Sequence, residues 1–166
     1  SEAEISLEGR YDLNSDSKFR IADRARKLIS SGATIIFDSG STTQLVAQSL
    51  RDTPNLVVIT NNLPVADVFA EARDCSIVVT GGLYRSKTKS LHGHIAESSL
   101  DKVIADTLFI GADGIDAEHG ITTFNDGYAI SQVMASCAKR VIAVVDSSKF
   151  GRVDLTVYWH PKELIF

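Results

Sequence analysis

Basic charge is in short supply: 17 lysines and arginines stand against 21 aspartates and glutamates, a formal net charge of -4. A domain that grips nucleic acid needs clustered cations to displace phosphate counterions, so this composition excludes direct DNA binding by the domain itself. Two cysteines, Cys75 and Cys137, are too few for a disulfide framework. Both lie in apolar segments, where buried free thiols are common, and the expected compartment is the reducing cytoplasm. No apolar run approaches the roughly 18 residues needed to cross a bilayer, and the opening SEAEISLEGR is not a signal peptide. Met134 is the only methionine and the chain opens on Ser1, which leads us to expect a further segment ahead of it.

Several chemical signatures are also missing. GGLYRSKT at 81–88 has the outline of a phosphate-binding Walker loop, but Ser86 stands where the motif requires glycine before the lysine. There is no G-x-G-x-x-G fingerprint and no G-x-S-x-G nucleophile elbow. His92 and His94 flank Gly93 with no cysteine or third histidine near them. A solvent-facing loop accounts for both, and no metal or cofactor is expected.

What is present reads as one α/β domain. The 166 residues, 44% of them hydrophobic, suffice for one sizeable core and leave little room for a second. Residues 1–14 are polar and aperiodic, an arm or linker; residues 15–166 form the domain. Asp16 or Ser17 can cap a helix with Ile21, Ala25, Leu28 and Ile29 on one face and Gly32 as its stop. Strand, loop and helix then alternate. ATIIF, NLVVI, CSIVV, DTLFIG and RVIAVV read as strands; TTQLVAQSL, PVADVFAEAR, IAESSLDKV and YAISQVMASCA read as helices. Short β-branched runs between amphipathic helices predict a mainly parallel sheet buried on both faces, a three-layer α/β/α sandwich. In the tail, Val157 to Trp159 can form a strand.

Ligands of such sheets bind beyond the carboxyl ends of the strands. The loops there read DSGSTT at 38–43, TNN at 60–62, TGGLYRSK at 80–87, GADGID at 111–116 and DSSK at 146–149. Asp38, Ser39, Gly40, Ser41, Thr42 and Thr43 join a strand to a helix amino terminus. Unpaired amides, the helix dipole, a small glycine and hydroxyls suit a phosphate there, although Ser41 or Thr42 can instead cap the helix. Gly81 and Gly82 permit a tight turn, and Arg85 can draw an anion or lie in a solvated basic loop with Lys87 and Lys89. Asn61 and Asn62 suit sugar hydroxyls, a phosphate or a turn. Asp113 and Asp116 around Gly114 can hold hydroxyls, act as acid and base, or make a turn. Lys149 can neutralise a phosphate or pair with a carboxylate such as Asp146.

Taken in order, DSGSTT, ITNN, TGG, LFIGADGID, GITT and DSSKFG resemble the carboxyl-terminal domain of DeoR-family bacterial transcription regulators, over about residues 18–151. The resemblance implies a fold similar to ribose-5-phosphate isomerases and CoA transferases. It also implies a binding module, not an enzyme, whose ligand is a phosphorylated sugar. Occupancy would be relayed to operator DNA through an amino-terminal helix-turn-helix lying outside this sequence, in a homodimer or homotetramer that represses a carbohydrate-catabolism operon. Carried over by position, Ser39 to Thr43 hold the phosphate with Asn61, Gly81, Gly82 and Arg85 nearby, and Asp113 and Lys149 complete the pocket. Two departures from the family pattern stand out: Tyr128 where relatives often carry glutamate, and an end after DSSK shorter than the resemblance leads us to expect. The phosphate loop and aspartates are similar to those of ribose-5-phosphate isomerases too. An aldose–ketose isomerase is therefore the alternative, but Ala117 to Thr123 replace the lysine segment that such enzymes carry.

Overall fold

The computed structural model of the protein describes residues 19–111, 115–116, 120–121, 129–147 and 152–158. Helix α1, residues 19–28, buries Ile21 and Ala25, with Ile29 just beyond it, and the chain turns at Gly32 with φ 85°. Its expected cap at Asp16 or Ser17 lies outside the described residues. Strand β1 (Thr34–Phe37), helix α2 (Ser41–Leu50), strand β2 (Val57–Thr60), helix α3 (Leu63–Phe69) and strand β3 (Ser76–Val79) follow. A hairpin of β4 (Leu83–Arg85) and β5 (Ser90–His92) leads through helix α4 (His94–Ser99) to β6 (Ala105–Gly111). After the short pair β7 (Ile115–Asp116) and β8 (Gly120–Ile121), helix α5 (Ala129–Cys137) runs into β9 (Ala138–Ser147) and β10 (Arg152–Tyr158).

The main sheet has the order β10-β9-β6-β1-β2-β3. Neighbours from β9 through β3 are parallel, and β10 alone runs antiparallel, from Arg152 opposite Ser147 to Tyr158 opposite Val141. Alternation along the strands feeds two cores. Ile35, Phe37, Val58, Phe109, Ile142 and Val144 pack with α1, α2 and α3, while Ile36, Ile59, Leu108, Ile110 and Val141 pack with α4 and α5. The three-layer sandwich read from continuous apolar runs is the one observed. Phe37 sits at the centre of the first core, stacked on Phe109 at 5.3 Å between ring centroids and tilted against Phe69 at 5.7 Å. Below the sheet, Arg140 donates to Thr107 Oγ1 at 2.8 Å and to the carbonyl of Leu28, fastening the end of α1.

Several local expectations are corrected. The helices read over 64–73 and 95–103 stop early, at Phe69 and Ser99. Beyond them the amides of Ala70, Ala72, Leu100 and Val103 bond to carbonyls three residues back, so each helix tightens into turns at that point. TGGLYRSK is not a plain loop, since Leu83 to Arg85 pair with Ser90 to His92. His92 is accordingly buried in β5, whereas His94 is exposed at the start of α4. The final strand begins at Arg152, five residues before the expected Val157, because antiparallel pairing to β9 extends it. Cys75 and Cys137 are half-buried free thiols at the core margins, not fully enclosed ones.

Replacing Phe109 by alanine should cost about 3–5 kcal/mol, since it removes the stacking partner of Phe37 and leaves a cavity. Urea unfolding measures this, and a loss below about 1 kcal/mol would show that the ring stack is not central to the core.

Candidate functional site

The chain winds outward from β1 through β2 to β3, then returns to the other side of β1 at β6. This reversal makes the carboxyl ends of β1 and β6 the switch point of the sheet, where doubly wound sheets form the crevice that binds ligands. Asp38 continues β1 by donating its N–H to Phe109 O of β6 at 3.0 Å. The chain then turns through Ser39 and Gly40 into α2. Gly40 is the N-cap residue with φ 148° and ψ 156°, a region open in practice only to glycine. No side chain caps α2 and its first turn carries no acidic residue; Ser41 and Thr42 therefore do not take the capping role left open by sequence. The first intrahelical bond is Gln44 N–H to Gly40 O at 3.1 Å. The amides of Ser41, Thr42 and Thr43 thus have no acceptor within the helix. Thr42 stands at the end of β6: a Cβ on Gly111 would lie 3.3 Å from Thr42 Oγ1.

Other residues of the loop hold it in shape. The Ser39 amide donates to Asp38 Oδ1 at 2.8 Å. Thr43 is fully buried, and its hydroxyl reaches Asp38 O at 2.8 Å and Gly40 O at 2.9 Å. Thr43 therefore clasps the turn instead of facing a ligand. Asp38 itself is buried, and Ser131 of α5 donates to its Oδ2 at 2.5 Å. Burial drives the Asp38 carboxyl above the ordinary aspartate value of 3.8, opposed by the hydrogen bonds from Ser131 and Ser39 and by the nearby His92. Behind it, His92 Nε2 lies 2.6 Å from Ser90 Oγ, which lies 2.6 Å from Thr88 Oγ1.

The asparagines divide. Asn62 accepts from Val65 N–H at 3.1 Å as the cap of α3 and donates to Thr88 O at 3.2 Å, so both ends of its amide serve the turn. Asn61 donates to Leu91 O at 3.0 Å and has a buried Oδ1 without a partner. Gly81 gives its amide to Ser99 Oγ at 3.1 Å and lies under Ile95. At Gly82, with φ 134°, a Cβ would meet His92 O at 2.6 Å, so this glycine lets the two hairpin backbones approach. Both glycines thus serve the hairpin and α4. Arg85 is half-buried at the end of β4 opposite Ser90. Asp113, Gly114, Tyr128 and Lys149 lie outside the described residues. The structure adds Ser131, His92, Ser90 and Thr80, which sequence analysis did not select. Only the alternation Ser90-Leu91-His92 hinted at a strand with two inward polar groups.

The strand order, with its reversal at β1, and the helices on both faces define a doubly wound α/β domain. Two solved isomerases share the fold. That of Neisseria gonorrhoeae is 15% identical with a TM-score of 0.53, covering 80% of this chain and 52% of the other. That of Methanocaldococcus jannaschii is 20% identical with a TM-score of 0.52, covering 82% and 54%. The chain itself belongs to the family of the DeoR C terminal sensor domain, whose profile matches residues 13–164. Among curated relatives, a putative aga operon transcriptional repressor of Escherichia coli O157:H7 is 39% identical over 153 residues, 92% of this chain and 57% of the relative. The HTH-type transcriptional regulator GlpR of Haloferax volcanii is 36% identical over 140 residues, 84% and 54%. The glycerol-3-phosphate regulon repressor of Escherichia coli K12 is 31% identical over 144 residues, 86% and 57%. The chain spans a little over half the length of these relatives. Among the described residues no helix is long and apolar enough to cross a membrane.

Asp38 sets a pH signature. Its folded-state value lies above 3.8, so between 3.8 and that raised value the folded chain holds a proton that the unfolded chain releases. Its contribution to stability is therefore present in acid and lost as pH rises through that interval. Asp38→Asn should gain urea resistance relative to the parent as pH is raised from 3.8 towards neutrality. Parallel curves for the two proteins would show that burial does not hold the proton.

Proposed function

We propose that this domain is the sensing half of a DeoR-type repressor and that a phosphorylated sugar, or a closely related phosphorylated metabolite, binds at the β1–β6 crevice. The observation that carries the proposal is the uncapped amino terminus of α2, with three amides lacking intrahelical acceptors and Gly40 leaving room for close approach. A phosphate monoester brings roughly -1.5 to -2 charges and strong acceptor oxygens to that position. Ser41 and Thr42 add hydroxyl donors beside the amides. Asn61 lies on the next strand end, and Arg85, Asp113, Gly114 and Lys149 are the further ligands implied by family resemblance. Occupancy changes operator binding by a helix-turn-helix domain elsewhere in the polypeptide, as the repressor names of the relatives support. Dyad-symmetric operators call for an even-numbered assembly, a homodimer or homotetramer in the cytoplasm.

The isomerase alternative rests on fold likeness, which does not carry function by itself. Asp38, the buried carboxyl at this rim among the described residues, is held by Ser39 and Ser131 and serves the loop. We therefore assign binding, not proton transfer, to this rim.

A ligand at a hundred times its Kd stabilises a fold by about 2.7 kcal/mol, which raises the melting temperature of a domain of this size by roughly 5–10 °C. Sugar phosphates screened by thermal shift should include one that produces such a rise while its unphosphorylated parent does not. Equal shifts from both would overturn the phosphate assignment, and turnover of an aldose phosphate to its ketose by the pure protein would restore the isomerase. Gly40→Val should remove the phosphate-dependent shift by straining the N-cap and filling the approach to the amides. Lys149→Ala should weaken the phosphorylated ligand about tenfold or more, as expected for a charge-assisted contact; unchanged affinity would remove Lys149 from the pocket.

A further inference from the structure

Two buried polar atoms among the described residues have no hydrogen-bond partner: Asn61 Oδ1 and Thr80 Oγ1. They are neighbours. Thr60 is in register with Val79, and Thr80 N–H donates to Thr60 O at 3.0 Å, so Asn61 and Thr80 form the next rung at the carboxyl ends of β2 and β3. Thr60 turns its hydroxyl to Phe37 O on one face of the sheet. By alternation Asn61 and Thr80 face the other side, the side on which Asp38 meets Ser131 of α5. Asp38, Asn61 and Thr80 therefore head three adjacent strands in line with the loop that enters α2.

Buried polar atoms are paired in folded proteins with few exceptions, and each exception calls for a missing partner. Neighbouring strands stand about 4.8 Å apart, which places Asn61 about 5 Å and Thr80 about 10 Å across the rim from the end of β1. We propose that Asn61 Oδ1 and Thr80 Oγ1 read a hydroxyl of the effector: one hydroxyl of a phosphorylated polyol donates to Asn61 and accepts from Thr80. The proposal rests on the phosphate site at α2 and adds the residues that separate a polyol chain from an alkyl chain of equal length. Both atoms are closed to solvent in this conformation, so the hydroxyl enters as the hairpin shifts. Asn61 holds that hairpin through Leu91, by Asn61 Nδ2 to Leu91 O at 3.0 Å and Leu91 N–H to Asn61 O at 2.8 Å.

Thr80 gives the cleaner test, because Asn61 also holds the hairpin. Titration calorimetry on the parent, Thr80→Val and Thr80→Ser compares glycerol, tetritol, pentitol and hexitol phosphates with alkyl phosphates of equal carbon number and with inorganic phosphate. The parent should prefer one or more of the longer polyol phosphates by about ten- to hundredfold over the matching alkyl phosphate. Thr80→Val should lose that preference with alkyl phosphate affinity unchanged, and Thr80→Ser should keep it. Unliganded Thr80→Val should melt no lower than the parent, since the hydroxyl it removes has no partner. A preference that survives in Thr80→Val overturns the proposal and leaves an internal water as the partner of both atoms. Equal binding of polyol and alkyl phosphates to the parent also overturns it while the phosphate site stands. No binding of any phosphate by the parent overturns the phosphate site and this proposal together.

Discussion

The end of strand β1 must bury a carboxyl group, and the arrangement of the rim follows from how that is achieved. Asp38 joins β1 to β6 through its backbone, fixes Ser39 through Oδ1, and binds Ser131 of α5 through Oδ2. Thr43 closes the same turn from inside α2. One residue thereby connects the sheet, the loop and helices from both outer layers. An isolated carboxylate at such a depth would be costly, and the hydrogen bonds together with a raised proton affinity make the position tolerable. The outcome is a rigid turn whose remaining donors, the first-turn amides of α2, point where Gly40 leaves space.

That division of labour resolves an apparent conflict of charge. The domain carries a net charge of -4, whereas the proposed effector is an anion. Long-range repulsion is screened beyond about 8 Å at physiological ionic strength, so local groups decide. Backbone amides and the helix dipole bring positive potential without a cation, and no acidic side chain in the first turn of α2 opposes them. Among the described residues Asp38 is the buried acid beside the loop, and burial raises its proton affinity, which works against full negative charge there. Phosphate recognition at this rim is thus compatible with an acidic surface, and the scarcity of lysine and arginine excludes only polyanions that need a broad basic face.

The layers of the fold were legible because parallel strands buried on both faces produce continuous apolar runs. ATIIF and DTLFIG mark β1 and β6 almost to the residue. The loop that enters α2 was legible too, since a Gly-Ser-Thr-Thr run directly after a strand opens a helix there. The hairpin was not. Its pairing depends on Gly82 meeting His92 backbone to backbone, a contact across ten residues that no local periodicity records. Reading TGGLYRSK as a loop followed from its polar composition, and the inward turn of Ser90 and His92 was lost with it. Thr43 and Asn62 show the same limit at single residues: a hydroxyl or an amide in a promising loop has the right chemistry for a ligand and for the turn alike. Only the folded arrangement distinguishes Thr42, beside Gly111 at the end of β6, from Thr43, locked to its own loop.

Sharing a fold with isomerases while belonging to a sensor family follows from what each task requires. Binding a phosphate needs preorganised donors, which backbone geometry supplies and which any sequence keeping the turn retains. Moving a proton between carbons needs a base free to approach the substrate with its proton affinity near the working pH. Asp38 has a proton affinity raised by burial, and both its oxygens are tied, one to the loop and one to α5. The same ties make it useful for sensing. A ligand shifts a conformational equilibrium only through unequal affinity for two states. The turn is linked to α5 on one face and clasped by α2 on the other, so its hydrogen bonds reach both outer layers. Where an enzyme would need mobility at this carboxyl, a sensor needs connection.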